Sequence, residues 1–150
     1  MSEAEVLVRP AVSNDADALF ELLKELVITY EPERAAFDRS LPRLIDLEHE
    51  VLMVAEVNGA VVGYALAAES LTLYANGPVV DLLELVVAES RRGRGIGEEL
   101  VSAVKAWGSD RGCIDVNVAS GRSGGYYERL GFSEAATFYR LHLPDSRAEA

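Results

Sequence analysis

The stretch RRGRGIGEEL, residues 91–100, sets three arginines and three glycines within Arg91–Gly97 of a chain whose formal net charge is −11. Arginine brings positive charge and paired donors that match phosphate oxygens, and glycine lets main-chain N–H groups approach an anion closely. The run lies between an apolar stretch, VVDLLELVV (79–87), and a segment of helical periodicity starting near Gly95. At a strand-to-helix junction the first helical amides lack partners and the helix dipole is positive. A pyrophosphate is the guest such chemistry suits. Two common nucleotide motifs do not fit. A P-loop needs Gly-Lys-Ser/Thr, whereas Gly97 is followed by Glu98 and Glu99. A dinucleotide fingerprint needs GxGxxG after the first strand, whereas here the third glycine comes one residue early and the loop follows several elements.

The apolar run before the loop carries Asp81 and Glu84, and the next β-like run carries Asp115. A carboxylate in a run suited to burial costs stability unless it has a role, and Glu84 is the one nearest the loop. Strict alternation puts Asp81 and Glu84 on opposite faces of a strand, but a bulge between them would reverse that relation, so parity leaves the choice open. Cys113 has no histidine near it in a nucleophile motif and reads as a small core residue. A single cysteine, no CxxC pair and only two histidines, His49 and His142, give no metal-ligand pattern, and no metal is expected.

These groups must be positioned by elements that the pattern of the chain predicts. Val6–Arg9 reads as a strand, and Ser13-Asn14-Asp15 offers N-caps to a helix whose apolar face is Leu19, Leu22, Leu23, Leu26, Val27 and Tyr30, ending before Pro32. A weaker helical pattern covers 41–48, with Pro42 in its first turn. Residues 51–57 and 60–70 flank Asn58-Gly59, the strongest short hairpin signal. Residues 71–78 read as a strand end and turn, and 79–87 as a central strand. Ile96, Leu100, Ala103, Val104 and Trp107 mark an amphipathic helix near 95–110 that stops at Gly112. Residues 113–118 are strand-like, 126–130 form a short helix closed by Gly131, and 136–143 alternate like a last strand. The order is that of an α/β fold with a mixed sheet.

Composition narrows the function class. With 150 residues and 49% hydrophobic content the chain supports one domain with one core. No apolar run approaches the ~18 residues of a membrane-spanning helix, and the acidic start MSEAEVLVRP differs from a basic secretory signal, so a cytoplasmic location is expected. The acidic balance disfavours nucleic acid and anionic membranes as partners and suits cationic small molecules such as amines.

Arg92-Gly93-Arg94-Gly95-Ile96-Gly97 matches the R/Q-x-x-G-x-G/A motif of the GNAT superfamily of acyl-CoA-dependent N-acyltransferases, and it follows the strand LLELVV as that family places it. YYERLGF (126–132) resembles the family's Y-E-K/R-L-G-F segment, and VRPAVSNDADAL (8–19) resembles its opening. The resemblance spans essentially the whole chain, with each motif in the family's order. It implies a single domain over 1–150 with a mixed, mostly antiparallel central sheet flanked by helices on both faces, and acetyl-CoA or another acyl-CoA as donor. By the same resemblance, backbone groups of Leu85, Val86 and Val87 bond the pantetheine arm like an added strand. Amides from Gly93 through Arg94, Gly95, Ile96 and Gly97 to Glu98 hold the pyrophosphate, with the side chains of Arg92 and Arg94 as phosphate partners. An amide at the strand's bulged end, Val86 or Val87, faces the thioester oxygen. Ser120 stands seven residues before the motif tyrosine, where the family often carries asparagine, and is the donor contact from that side. Tyr127 is the motif tyrosine and the acid for the departing thiolate.

The implied reaction is direct attack of an amine on the thioester. An amine of pKa ~10.4 is free base about once in 2500 molecules at pH 7, a penalty near 4.6 kcal/mol unless a base removes the proton. Glu84 is the first candidate, followed by Asp81 and Asp115. The acceptor expected is a primary amine of a cationic small molecule. Two other readings share the loop: a noncatalytic acyl-CoA-binding or sensing module, and an acetyltransferase for protein N-termini or lysines. A homodimer is compatible with each.

Overall fold

Asn58 and Gly59 both adopt positive φ, 51° and 81°, as a tight two-residue hairpin turn requires. The flanking runs pair antiparallel as β2 (Glu50–Val57) and β3 (Ala60–Thr72). A second hairpin turns at Asn76, φ 63°, and returns as β4 (Gly77–Val87), antiparallel to β3. β1 (Val6–Pro10) pairs antiparallel with β2, and β5 (Val116–Val118) runs parallel to β4. The result is a five-stranded mixed sheet in the order β1-β2-β3-β4-β5. This computed structural model describes residues 5–26, 30–120 and 125–144. It comprises two compact units, Met1–Val118, which holds the sheet, and Ala119–Ala150.

Helix α1 (Ala16–Leu26) and helix α2 (Arg34–Asp46) cover one face of the sheet. Leu19, Leu22 and Leu41 pack there with Leu52, Val54, Tyr64, Leu66 and Val86 as one buried cluster. Phe20 and Phe37 lock the two helices edge to face at 5.3 Å, and Arg34 bonds Asp17 at 2.9 Å across the same joint. Helix α3 (Ile96–Asp110) covers the other face. It lies so close that a Cβ on Gly63 would stand 2.9 Å from the Val86 carbonyl oxygen and 3.2 Å from Leu100, and one on Gly108 would stand 2.5 Å from Val80. Only glycine fits either contact without displacing its neighbours.

Several sequence expectations are corrected. The second helix starts at Arg34 rather than Leu41, so Pro42 is inside it, on an exposed face. Phe37, Leu41, Leu44 and Ile45 supply the buried stripe, and burial of that stripe together with the Arg34–Asp38 pair at 2.8 Å outweighs the one hydrogen bond that proline removes. Helix α1 ends at Leu26 among the described residues, Val27 lies outside them, and Tyr30 is exposed in a bend. Residues 113–115 are irregular, because the Cys113 and Ile114 amides bond the carbonyls of Gly108 and Pro78 before the β5 ladder begins. Residues 136–143 form no strand. Alternation provides two faces, but a strand also needs a neighbour to complete its ladder, and Phe138, Tyr139, Leu141 and Leu143 are exposed.

The expected caps at 13–15 form a single 3₁₀ turn. Asp15 is buried there, bonds Arg9 in a two-point pair at 2.8 and 3.0 Å, and accepts the Val12 amide at 2.8 Å. The Arg9 hydrogen bond holds its carboxyl below the usual range, against the opposing effect of burial. A depressed folded-state pKa contributes stability that is present above the unfolded value of about 3.9 and disappears as pH falls through the folded one. Asp15→Asn is therefore expected to lower stability by about 2 kcal/mol at pH 7, with the difference from the parent closing below about pH 4. Urea unfolding at pH 7, 5 and 3 reads it directly.

In the second unit, helix α4 (Tyr126–Arg129) ends in a closed cap. Gly131, at φ 99°, donates to the Glu128 carbonyl at 3.0 Å, and Phe132 donates to the Tyr127 carbonyl at 3.0 Å. This is the paired-bond glycine stop, and the accompanying apolar contact is Tyr127 on Phe132 at 5.5 Å.

Candidate active site

The bulge that sequence parity left open is present. Glu84 pairs with Leu66 and Leu82 with Ala67, so Leu83 is the extra residue, and it is exposed. Asp81 pairs with Ala68, two residues from Leu66, which puts Asp81 and Glu84 on one face of the sheet. That face belongs to α1 and α2. Tyr64, buried at 4% exposure, donates its hydroxyl to Glu84 Oε1 at 2.7 Å. Burial first, then the charge of Glu84 and this bond, push the phenol well above its usual range, so Tyr64 stays a donor throughout any assay pH. The pair lies on the floor of a cavity of about 250 Å³ between the two helices and the sheet. One carboxylate oxygen is held by Tyr64, and the other has no further hydrogen bond among the described residues.

The other carboxylates are placed differently. Asp81 accepts the Ser70 hydroxyl at 2.6 Å and does not line the cavity. Asp115 is exposed, and its backbone carbonyl accepts the Val80 amide at 2.8 Å. Tyr64 was not among the sequence candidates. A signal existed: one aromatic with a hydroxyl in the apolar run AVVGYALAAES needs a partner when buried.

The glycine loop sits at the C-terminal end of β4. After a 3₁₀ turn at Glu89–Arg91, Gly93 and Gly95 take φ of 78° and 80°, with open space where a Cβ would point. Gly95 is the N-cap of α3, and the first helical bond runs from the Glu99 amide to the Gly95 carbonyl at 3.0 Å. The amides of Ile96, Gly97 and Glu98 precede that bond and have no helical acceptor. Arg92 donates to the Val87 carbonyl at 3.2 Å and stands 4.0 Å from Glu25, bracing the loop against the strand end. Arg94 is exposed beside the loop, while Ile96 and Gly97 are buried. The residues present fit a diphosphate: bare backbone at two positive-φ glycines, first-turn amides that have no helical acceptor and an exposed arginine.

Part of the neighbouring strand edge pairs with no other strand among the described residues. The β4–β5 ladder ends at Leu82–Val118, while β4 continues to Val87. The Ala88 amide bonds the Val62 carbonyl at 2.8 Å, so alternation along the antiparallel ladder turns the backbone groups of Val86 toward β3 and those of Leu85 and Val87 outward. Ser120 is exposed just beyond β5. Tyr127 is on α4 in the second unit, where its ring packs between Tyr126 at 5.1 Å and Phe132.

His49, whose partner the sequence did not reveal, lies 3.0 Å from Glu69, which also bonds Arg111 at 2.7 Å. The Glu69 hydrogen bond raises the His49 pKa. Among the described residues no group of three or more His, Cys, Asp or Glu could hold a metal, and no helix is long and apolar enough to cross a membrane.

Residues 16–132, which include α1, the sheet from β2 to β5, the glycine loop and the YERLGF segment, match the Acetyltransferase (GNAT) family. The chain belongs to this family. Over 107 residues, 65% of this chain and 73% of the relative, it is 32% identical to aminoglycoside N(6')-acetyltransferase type 1 of Salmonella typhimurium. Its fold is that of a transcriptional regulator from Bacillus halodurans C-125, with TM-score 0.84 at 21% identity over 93% of this chain and all of the other. It is equally that of aminoglycoside N-acetyltransferase AAC(6')-Iy in complex with CoA, with TM-score 0.78 at 24% identity over 95% and 98% of the two chains. This GNAT chain is therefore an acyl-CoA-dependent acetyltransferase with acetyl-CoA as its co-substrate.

Proposed function

We propose that this GNAT enzyme transfers an acetyl group from acetyl-CoA to a primary amine of a small molecule by direct attack, and that the two units form one catalytic domain, as the family match runs across their boundary. The observation that carries the reading is Glu84, fixed by Tyr64 on the floor of a cavity and one strand end away from the glycine loop. Aminoglycoside acetyltransferases among the relatives support a small amine over a protein as acceptor.

Acetyl-CoA, when bound, supplies an acetyl group activated as a thioester. The amides of Gly93–Glu98 hold its diphosphate, with Arg94 adding charge and Arg92 keeping the loop in register with Val87. Leu85 and Val87 offer outward backbone groups to the pantetheine, and in this reading the Val87 amide stabilises negative charge growing on the thioester oxygen. Val86, turned toward β3, supports the strand instead. Glu84 takes the proton from the amine as its nitrogen bonds the carbonyl carbon. Tyr127 gives a proton to the sulfur as the C–S bond breaks, and Ser120 contacts the donor from its own side.

The decisive test is release of CoA with panels of polyamines, aminoglycosides, amino acids, simple amines and peptides. Turnover confined to peptides would replace the acceptor assigned here. For the loop, Gly95→Val is expected to weaken acetyl-CoA binding by roughly tenfold or more, about 1.4 kcal/mol, because a β-branched side chain strains the φ of 80°. Calorimetry on a variant with parental circular dichroism checks this, and equal affinity would remove the loop from the donor site.

A further inference from the structure

From the walls of the cavity above Glu84 we infer the acceptor class: a cationic amine on a compact apolar body, with no carboxylate and few hydroxyls. The inference rests on the acetyltransferase reading above and narrows its acceptor.

Helix α1 contributes Leu19 and Leu23 to the cavity, α2 contributes Phe37, Leu41 and Leu44, and the sheet contributes Leu66. Its polar groups are few: Tyr64, Glu84, Glu33 and Ser40. The Tyr64 hydroxyl is already committed to Glu84, so it has no proton to offer an acceptor hydroxyl. Glu33 and Ser40 are exposed on α2 and its approach, at the rim. A sugar ring buried among the leucines would find the second Glu84 oxygen and the rim groups for some of its hydroxyls and leave the others unpartnered, which costs more than the ring's contacts return. A methylene chain or a single aromatic ring gains on every atom.

Size and charge agree with this. At about 250 Å³ the cavity lies below the ~300–1,000 Å³ of pockets that enclose drug-sized ligands. It is open to solvent on one side, so what it holds against the leucines is one ring or a short chain, and the rest of a larger acceptor would extend outward. Both charged groups lining it are carboxylates, Glu33 and Glu84, and no cation lines it among the described residues. An ammonium is drawn in, and a carboxylate on the acceptor is repelled.

The test uses the whole chain with acetyl-CoA and measures kcat/KM for n-propylamine, n-butylamine, n-pentylamine and n-hexylamine, whose ammonium groups share nearly one pKa. The expected signature is a rise of about threefold to fourfold per methylene, the value of one buried CH₂. 2-Phenylethylamine should exceed neamine, each corrected for its free-base fraction, and should exceed phenylalanine, which differs by one carboxylate. Leu44→Gln, at a half-buried wall position, should flatten the series; the parent series stands alone if that variant does not fold. A flat parent series, or neamine turned over faster than hexylamine, overturns the acceptor class and leaves acetyl transfer intact. Binding of acetyl-CoA without turnover of any amine overturns the small-amine reading and this inference together.

Discussion

Replacing Glu84 with glutamine is expected to lower kcat/KM for an amine acceptor by 10²-fold or more near neutral pH, about 2.7 kcal/mol of transition-state stabilisation. The loss should shrink as pH rises, because alkali removes the proton that Glu84 otherwise takes. Glutamine keeps the shape of the side chain and an oxygen that accepts from the Tyr64 hydroxyl, so the strand and the cavity floor survive. Acetyl-CoA affinity should not change. Asp81→Asn and Asp115→Asn serve as comparisons: Asp81 is tied to Ser70 and Asp115 is exposed, so each should stay within about twofold of the parent. If one of them shows the pH-dependent loss while Glu84→Gln does not, the base is that residue. Tyr64→Phe separates position from chemistry. It removes the bond to Oε1 but not the carboxylate, so the alkaline limb should persist with a smaller drop in kcat.

Tyr127→Phe is expected to reduce kcat by about 10²-fold while leaving the dissociation constant of acetyl-CoA nearly unchanged. The ring does separate work: it packs on Tyr126 and Phe132 and completes the apolar contact of the α4 cap, and phenylalanine retains that packing. The substitution thus removes one hydroxyl and little else. Stopped-flow release of CoA against a calorimetric donor titration distinguishes the two roles, since a purely structural tyrosine would give parental turnover in the phenylalanine variant and a loss only in Tyr127→Ala. Parental turnover in Tyr127→Phe means that solvent protonates the thiolate.

Local signals in the chain translated into structure wherever the deciding physics was local. Asn58-Gly59 gave its hairpin because two successive positive-φ positions close a two-residue turn that sets Val57 opposite Ala60. The glycines and arginines at 91–97 gave a loop ahead of a helix because glycine alone enters those conformations without strain. What stayed illegible depends on contacts between distant residues. Whether Asp81 and Glu84 share a face turned on where β3 meets β4, and a bulge at Leu83 carries no mark in its own sequence. Tyr64 gained its role from Glu84, twenty residues away. Pro42 misled for a related reason: it marks a helix start when only neighbours are considered, and it becomes tolerable once the stripe Phe37-Leu41-Leu44 has a sheet to cover. The alternation at 136–143 is the opposite case, a strand pattern without a ladder.

The two glycines at the contact between α3 and the sheet have an evolutionary consequence. Gly63 seats the first turns of that helix against β3 and β4, and Gly108 seats its last turns on Val80. The helix is pinned at both ends, so the separation between the loop at its start and the edge of β4 is inherited from the sheet rather than adjusted by side chains. The cavity above Glu84 is built on the reverse face from α1 and α2. Mutations that reshape those helices can explore new acceptors without disturbing the seat of α3, which makes one half of the molecule a fixed gauge and the other a field for divergence.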